Sequence, residues 1–451
     1  MDSAFARVQE QQLARTAPQE QPRAVVLGGQ PGSGKSALAA EAAHEFKGSG
    51  GAVVIDADRM REHNPRYQEL SRQNPQGAAD LTQREAADWA MRMTAVAAEN
   101  RRNLVIDGTM RDPNAVSDLT SRLKEAGYTV EARVLAVDQE TSLARARLRF
   151  EEQVAVRGTG RFVNEEQHNT AYRNLPSSVA VLEREKLVDQ VKLYDANQRV
   201  VYDNRLERGD WQKVPAAAAV LEQERSRPKT VDERIQLVSA YEITSRLAQQ
   251  REDRGQVVVG DRPVLDQKLD RARGELAVAE QSPAHQRAQA FDHQPRAEAL
   301  KRHPELDGAY ARLDAVRQGW AQEGSTNRET SLVATRAALS EQLHRGELPR
   351  GPVTHEDSRV AIDSAAQHRG LSVRDAQDLK RDVKGEVVAT SSQHALVKMG
   401  ETIGVRFEKA NLDREVQPGE KVTIQHGQGR SQVHEQGKEP DRGRATQQLD
   451  R

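Results

Sequence analysis

The sequence predicts an α/β fold in which a parallel sheet is flanked by helices, and three observations support this. Short β-branched runs alternate with longer amphipathic stretches over residues 24–204. The short runs are apolar throughout, which is typical of strands buried on both faces of a parallel sheet. A glycine-rich loop at residues 29–36 joins the first run to the first amphipathic stretch, which is the order strand, loop, helix.

The strands and helices of this first domain are predicted from the apolar runs and the amphipathic stretches, respectively. Strands are predicted at residues 25–27, 53–55, 104–106, 134–137 and 200–202. Helices are predicted at residues 35–46, 82–99, 113–126, 140–153 and 165–190. Such alternation predicts a doubly wound α/β sheet, forming one domain over residues 23–205.

The remaining segments differ in character from this domain. Residues 1–22 are predicted to be a flexible N-terminal arm. Residues 206–384 are charged, with thin apolar faces and prolines at 283, 295 and 304, which predicts a helical linker region that is partly disordered. Short β-branched runs separated by glycines predict a small β-module at residues 385–428. The polar tail at 429–451 has little to bury and is predicted to be disordered.

Composition limits the classes of function. The 451 residues carry a formal net charge of −1, so the whole molecule is not a general nucleic-acid binder, although local basic patches in the C-terminal half stay open. There is no cysteine, which excludes disulfides and thiolate sites. The chain starts without an apolar signal region, and no stretch approaches the ~20 residues that span a bilayer. We therefore expect a cytoplasmic protein with no membrane partner.

The glycine-rich loop has the spacing of a phosphate-binding loop. Its glycines allow backbone N–H groups to surround phosphate oxygens, and the following helix N-terminus adds donors and a favourable dipole. Lys35 is expected to reach the β- and γ-phosphates, and the Ser36 hydroxyl to bind Mg²⁺. The motif therefore predicts ATP or GTP with Mg²⁺ as ligands. The predicted nucleotide-binding residues are Gly29, Gln30, Pro31, Gly32, Ser33, Gly34, Lys35 and Ser36.

Carboxylates follow the second and third predicted strands. Asp56 and Asp58 come at the end of the second strand, where ligands bind in open α/β sheets. Either carboxylate can serve as the base that takes the acceptor proton, cap the next helix, or orient Mg²⁺ through water. Asp107 ends the third strand as a second candidate near the metal, and Thr109 is a candidate substrate contact; a plain Asp-Gly-Thr turn is the alternative.

Arginines follow on a predicted helix and the loop after it. Arg145, Arg147 and Arg149 lie on the helix, and the loop contains Arg157 and Arg161. Arginines on a mobile lid can stabilise charge on a transferring phosphoryl group, while solvated cations are the alternative. The isolated His63 and His168 lack metal-ligand spacing, so we interpret both as surface residues.

Several blocks in a fixed order resemble the zeta toxin family of P-loop kinases. They include LGGQ before the phosphate-binding loop, VIDADRMR followed by HNPRY, IDGTMR, LRFE and VVYD. The resemblance extends over about residues 24–205. It implies an ATP-dependent kinase that phosphorylates a sugar hydroxyl of UDP-N-acetylglucosamine, and an antitoxin protein that holds the kinase inactive.

The resemblance also implies roles for individual residues. It makes Asp58 the general base and Lys35 the phosphate-binding lysine. Arg149 and Arg161 become the arginines on the transferring phosphate. Thr109 and Arg111 become substrate contacts. The family usually carries a substrate-binding glutamate where this chain has Met91, and a thioether cannot replace it as a hydrogen-bond acceptor. This departure leaves the acceptor open.

The C-terminal module is similar to modules of conjugative-plasmid transfer proteins, as is the stretch RHPELDGAY at residues 302–310. Three hypotheses therefore compete. The chain is a toxin that phosphorylates a nucleotide sugar, a kinase for another small hydroxyl compound, or a plasmid-transfer accessory protein whose P-loop only binds nucleotide. Lys35, Asp58, Arg149 and Arg161 are all present, and this favours the two kinase hypotheses.

Overall fold

The computed structural model describes residues 2–73, 77–255, 261–319, 328–379, 381–425 and 430–435. These residues form two units, one of residues 2–228 and 232–276 and the other of residues 229–231 and 277–435. Each unit is built around a sheet of its own. In the part of the chain that is described, no helix is long and apolar enough to cross a membrane.

The first unit contains a seven-stranded sheet and most of the helices. Its strands are β1 (Arg23–Gly28), β2 (Ala52–Asp56), β3 (Asn103–Asp107), β4 (Thr129–Leu135), β5 (Gln190–Tyr194), β6 (Val200–Glu207) and β7 (Asp210–Trp211). The helices that lie wholly or mostly in it are α1 (Asp2–Ala14), α2 (Lys35–Glu45), α3 (Ala57–Glu62), α4 (Pro65–Gln73), α5 (Ala78–Leu81), α6 (Gln83–Glu99), α7 (Pro113–Glu125), α8 (Gln139–Arg157), α9 (Glu165–Arg184), α10 (Ala217–Ser226), α11 (Val231–Asp253) and α12 (Asp261–Glu280).

The strand order is β2-β3-β1-β4-β5-β6-β7, and β1 to β5 run parallel. Alternate residues of β1 face opposite cores: Val25 and Leu27 pack on the α2 side, while Ala24 and Val26 pack on the other face. Since both faces are covered, the predicted α/β fold with a parallel sheet flanked by helices is confirmed. Strand order reverses beside β1, which places the loop after β1 at the position where open α/β sheets bind ligands.

Three strands differ from their predicted form. β4 begins at Thr129, earlier than expected, because buried Glu131 and Arg133 interrupt its apolar pattern; Arg133 donates to Glu131 Oε1 at 2.9 Å and to Glu45 Oε1 at 2.7 Å. β5 was not predicted: the expected helix ended at Gln190, and the strand Gln190–Tyr194 is short and alternates polar with apolar residues. β6 returns antiparallel to β5 after a tight turn.

The N-terminus forms helix α1 rather than the predicted flexible arm. Ala4, Phe5 and Val8 are buried on one face of it. The Phe5 ring lies 5.7 Å from the Trp89 ring of α6, centroid to centroid. A short helix with three buried side chains gains enough apolar contact to dock, which the scattered charges of this segment concealed from sequence reasoning.

The first unit also extends beyond the predicted boundary at residue 205. Leu237 and Tyr241 of α11 and Leu265 and Leu269 of α12 form a buried cluster with Ala144 of α8. Most of this cluster comes from a region whose helices have thin apolar faces when judged alone. Together the helices bury those faces against α8 and become part of the first unit.

The second unit joins helices to a smaller sheet. Its helices are α13 (Pro283–His293), α14 (Arg296–Arg302), α15 (Asp307–Gly319), α16 (Arg328–His344) and α17 (His355–His368), and its strands are β8 (Ser372–Asp375), β9 (Val383–Thr390), β10 (His394–Met399), β11 (Ile403–Glu408), β12 (Lys421–Gln425) and β13 (Gln432–Glu435). The strand order is β13-β12-β9-β10-β11-β8. The small C-terminal sheet was predicted, and it is confirmed.

Some details of the second unit differ from the prediction. Pro283 and Pro304 were predicted to interrupt helices, but each lies at the start of a helical segment. Proline is favoured in the first turn because its missing N–H is not needed there. Phe291 and Tyr310 anchor a buried helical core. The sheet contains two strands outside the predicted β-module, β8 and β13. The residues of β13, 432–435, lie inside the predicted disordered tail. Residues 436–451 of that tail lie outside the described residues.

A stability prediction follows for the extended first unit. In a chain that ends at residue 276, the first unit should melt at the same temperature as in the full chain. In a chain that ends at residue 205, it should melt at a lower temperature. The shorter chain loses the Tyr241 cluster and leaves Glu151 buried without Arg251, and breaking a buried ion pair costs ~3–5 kcal/mol. Thermal unfolding by circular dichroism measures the difference. Equal melting temperatures would contradict the extended unit.

A pH prediction follows for the second unit. Burial and the nearby His355 lower the pKa of His394 to about 4, and its Nδ1 lies 3.0 Å from the Ser358 hydroxyl. In the unfolded chain a histidine takes up a proton below about pH 6.5. The full free energy of unfolding is therefore available above that pH. It should fall by on the order of 2 kcal/mol as pH drops towards 4. Denaturant unfolding at pH 7.5 and 5.0 should show a smaller decrease for His394→Asn than for the wild type or the exposed-site control His63→Asn; equal decreases contradict the assignment.

Candidate active site

The phosphate-binding loop leads from β1 into α2 and packs closely on α8. Gly34, the residue before α2, has a φ of 105°, a left-handed conformation that favours glycine. A Cβ on Gly32 would lie 1.9 Å from the Ser142 carbonyl oxygen, so no side chain fits there. The backbone of the loop therefore sits directly against the first turns of α8.

Lys35 folds back on the loop. Its Nζ donates to the carbonyl oxygens of Gly29 at 2.7 Å and Gln30 at 3.0 Å. Burial lowers the pKa of Lys35 to about 8, although the charge of Asp107 opposes this shift. A polyphosphate would offer this buried ammonium a stronger partner than two neutral carbonyls.

The eight predicted loop residues divide into two groups. Pro31, Gly32, Gly34, Lys35 and Ser36 line the cavity above the sheet. The other three residues do not line the cavity. The side chain of Gln30 is fully buried behind the loop, where its Nε2 donates to the Val137 carbonyl oxygen at 2.7 Å. Gly29 and Ser33 are likewise not among the residues that line the cavity.

The structure separates the two carboxylates after β2. Asp56 accepts hydrogen bonds from the backbone N–H groups of Asp58 at 2.9 Å and Arg59 at 3.3 Å, so it caps α3. Asp58 lies in the first turn of α3, and its carboxylate lines the cavity. The capping alternative therefore describes Asp56, whereas Asp58 lies beyond the cap and faces the cavity.

Two arginines hold the Asp58 carboxylate in the resting structure. Arg61 donates from Nη1 to Asp58 Oδ1 at 2.7 Å, and Arg161 pairs with Oδ2. Arg61 is almost fully buried and also donates from Nη2 to the side-chain oxygen of Gln83 at 2.6 Å. Sequence reasoning assigned no role to Arg61 or Gln83, although Arg61 is the last residue of the VIDADRMR block that carries the resemblance.

Asp107 ends β3 beside the other two carboxylates. It stands opposite Asp56 in the pairing of β2 with β3, and opposite Leu27 at the end of β1. Burial raises the pKa of Asp107, while the charge of Lys35 opposes the shift. Asp107 and Ser36 both line the cavity, so the two predicted magnesium ligands face the same space.

Arg149 and Arg161 enter the cavity from α8 and from the loop that follows it. The Nε and Nη2 groups of Arg149 are buried and have no protein partner among the described residues. Burial lowers the pKa of Arg149 and of Arg161. A buried guanidinium with open donors is suited to an anion. The loop is pinned rather than loose, because the Arg161 N–H donates to Gln153 Oε1 at 2.9 Å.

The other predicted cations and histidines have different positions. Arg145 and Arg157 line the cavity, but Arg147 stacks over the Phe162 ring at 4.9 Å. His63 is exposed, as expected. His168 is fully buried, contrary to its interpretation as a surface residue, and its Nε2 lies 2.9 Å from the Ser142 hydroxyl.

Thr109 and Arg111 line the outer part of the cavity on the loop after β3. Ser178 donates to the Met110 carbonyl oxygen at 2.6 Å, and Asn174 donates to that of Arg111 at 2.9 Å. These bonds from α9 hold the loop in place. Tyr67 and Gln83 line the cavity as well.

Met91 does not take the place expected for the substrate-binding residue of α6. Its side chain is 66% exposed and is not among the residues lining the cavity, whereas Gln83 at the start of the same helix is. The side chain of residue 91 therefore faces solvent rather than the cavity. The identity of the acceptor stays open.

The cavity measures about 990 Å³ and has an excess of positive charge. Eight cationic side chains line it against four carboxylates. The cations are Lys35, Arg59, Arg61, Arg111, Arg145, Arg149, Arg157 and Arg161, and the carboxylates are Asp56, Asp58, Glu62 and Asp107. This volume and charge suit a highly anionic ligand, or two ligands bound side by side.

Two segments of the chain match models of known families. Residues 7–207 match the zeta toxin model, and residues 382–435 match the model of the KfrB domain. The first match covers the whole cavity described above. The second covers most of the small C-terminal sheet.

Relatives of known name resemble the same N-terminal segment. The toxin PezT of Streptococcus pneumoniae is 28% identical over 187 residues, which is 41% of this chain and 73% of that protein. The toxin zeta of Enterococcus hirae is 28% identical over 190 residues, or 41% of this chain and 64% of that protein. The chain therefore spans just under two thirds of the enterococcal relative.

A solved structure from the PezAT chromosomal toxin–antitoxin system of Streptococcus pneumoniae is also similar. It is 24% identical to this chain with a TM-score of 0.48. The superposition covers 55% of this chain and 97% of that one.

Proposed function

Residues 7–207 carry a zeta toxin domain, and from this we propose that the protein is an ATP-dependent toxin kinase that phosphorylates a hydroxyl group of a small molecule. The observation that carries the proposal is the meeting of Lys35, Asp58, Arg149 and Arg161 in one cavity. They come from four separate elements, and each has a chemical part in phosphoryl transfer.

Nucleotide binding uses the loop, α2 and α8. The backbone N–H groups of the loop and the ammonium of Lys35 bind the β- and γ-phosphates of ATP. The open donors of Arg149 add a charge-assisted contact from α8. These features fit a triphosphate. Ser36 and Asp107 would hold Mg²⁺, which, when bound, neutralises part of the phosphate charge.

Transfer uses Asp58 as the base. The acceptor hydroxyl gives its proton to the Asp58 carboxylate while its oxygen forms a bond to the γ-phosphorus. The bond between that phosphorus and the β–γ bridging oxygen breaks, and ADP leaves. Arg161 pairs with Asp58 in the resting structure and can instead contact the anionic phosphoryl group, which frees a carboxylate oxygen for the acceptor.

UDP-N-acetylglucosamine or a related nucleotide sugar is the proposed acceptor. Its diphosphate carries negative charge that complements the excess of cationic side chains lining the cavity, Arg111 among them. Thr109, Tyr67 and Gln83 offer hydroxyl and amide groups for sugar and base. Another small hydroxyl compound is the alternative, and it would have to be anionic for the same reason.

An antitoxin protein is the proposed partner. The relatives are named toxins, and the solved structure belongs to a named toxin–antitoxin system. A partner that covers the cavity or keeps ATP out would silence all the proposed chemistry at once.

The acceptor is tested with a panel of substrates. Wild-type protein with ATP and Mg²⁺ should add one phosphate to UDP-N-acetylglucosamine, as read by mass spectrometry. Other nucleotide sugars, nucleosides and aminoglycosides complete the panel, and Lys35→Ala is the control for contaminating kinase. Phosphate on a neutral or cationic acceptor alone would contradict the nucleotide-sugar proposal. A lack of transfer to every acceptor, together with absent Mg-ATP binding, would contradict the kinase.

The base is tested by Asp58→Asn. This change keeps the shape of the side chain but removes its ability to take a proton, so transfer should fall by ~10²–10⁴-fold. Mg-ATP affinity should stay within a few-fold in calorimetric titration. Asp88→Asn, at an exposed carboxylate paired weakly with Arg92, is the matched control and should be silent. Parallel losses of Mg-ATP binding and turnover would show instead that Asp58 orients the metal.

A further inference from the structure

A buried arginine from outside the matched segment reaches the phosphate-binding loop. Arg225 lies in the last turn of α10, and the zeta toxin match ends at residue 207. Its side chain is only 6% exposed. Nη2 donates to Gln30 Oε1 at 2.9 Å, and Nη1 donates to the Tyr172 carbonyl oxygen at 2.9 Å.

The guanidinium is fixed on a third side. It stacks over the ring of Tyr172 with 4.1 Å between the guanidinium carbon and the ring centroid. A cation held by a ring face and two buried acceptors has little freedom to move. Arg225 therefore presents its donor to Gln30 in one direction.

Gln30 carries this constraint into the loop. Its Nε2 donates to the Val137 carbonyl oxygen at 2.7 Å and to the Ser142 hydroxyl at 3.0 Å. Its Oε1 accepts from Arg225, and its backbone carbonyl accepts from Lys35 Nζ at 3.0 Å. Gln30 thus links the segment after β4, helix α8 and helix α10 to Lys35.

The chemistry of arginine dictates which way the amide points. A guanidinium can only donate, so the oxygen of Gln30 must face Arg225 and the NH₂ group must face Val137 and Ser142. Without Arg225, the buried Gln30 oxygen would have no donor, and leaving a buried acceptor unsatisfied is unfavourable. The amide could then rotate or withdraw, and the loop backbone would move with it.

We infer that Arg225 is a positioning residue that sets the phosphate-binding loop for nucleotide through Gln30. The inference rests on the proposed nucleotide-binding role of that loop, but it does not depend on the identity of the acceptor. It also makes α10 part of the working kinase, although α10 lies beyond the segment that resembles the family.

The test measures Mg-ATP affinity and thermal stability in the same samples of the full chain. Arg225→Met, which keeps a long apolar stem but no donor, should weaken Mg-ATP binding by about 10- to 100-fold at a temperature where the protein is folded. Arg225→Lys, which cannot serve both acceptors as a planar fork does, should give an intermediate loss.

A neighbouring arginine provides the structural control. Arg227 forms ion pairs with Glu224 at 2.7 Å and Glu233 at 2.5 Å and is not among the residues that bond the loop. Arg227→Met should lower the melting temperature but leave Mg-ATP affinity within twofold. If Arg227→Met weakens Mg-ATP binding as much as Arg225→Met does, the effect is a general one of stability and the inference fails.

A double change tests the route through Gln30. Replacing both partners, with Arg225→Met and Gln30→Met together, should weaken affinity no more than the worse single variant, because both act on one link. Additive losses would overturn the route through Gln30. If Arg225→Met is not folded, Arg225→Lys carries the test, and wild-type affinity in that variant overturns the inference. Wild-type protein that does not bind Mg-ATP contradicts the proposed function itself, a different outcome from all of these.

Discussion

The contact between Gly32 and the Ser142 carbonyl oxygen leaves no room for a side chain, and the geometry of the cavity depends on it. Because the loop backbone touches the first turns of α8, the position of this helix is tied to that of the loop. Arg149 lies two turns further along α8 and lines the same cavity as Lys35. A single close approach thus brings a loop cation and a helix cation into one cavity.

Much of the fold and of the cavity could be predicted from the sequence. Strands β1 to β3 are continuous apolar runs, and the loop and the carboxylates follow them directly, so their meeting at one edge of the sheet follows from parallel pairing. Lys35, Asp58, Thr109, Arg149 and Arg161 line one cavity as expected. Their catalytic roles stay predictions until variants are measured.

Several of the features that the sequence concealed involve the burial of charged side chains. Arg133 and Glu131 broke the apolar pattern of β4, and Arg61 looked like an ordinary surface cation on α3. Arg251 and Glu151 form a buried pair from elements a hundred residues apart. Pattern reasoning places charged residues in solvent, and it cannot see partners that are distant in sequence. His168 was misplaced for the same reason.

The exposed side chain of Met91 has a practical consequence. It projects from α6 away from the cavity, while the first residue of the same helix, Gln83, contacts Arg61 inside it. The chain contains no cysteine. A cysteine introduced at position 91 would therefore be a unique thiol on a helix whose first residue lines the cavity. A fluorophore attached there would report movement of α6 during turnover without touching the chemistry.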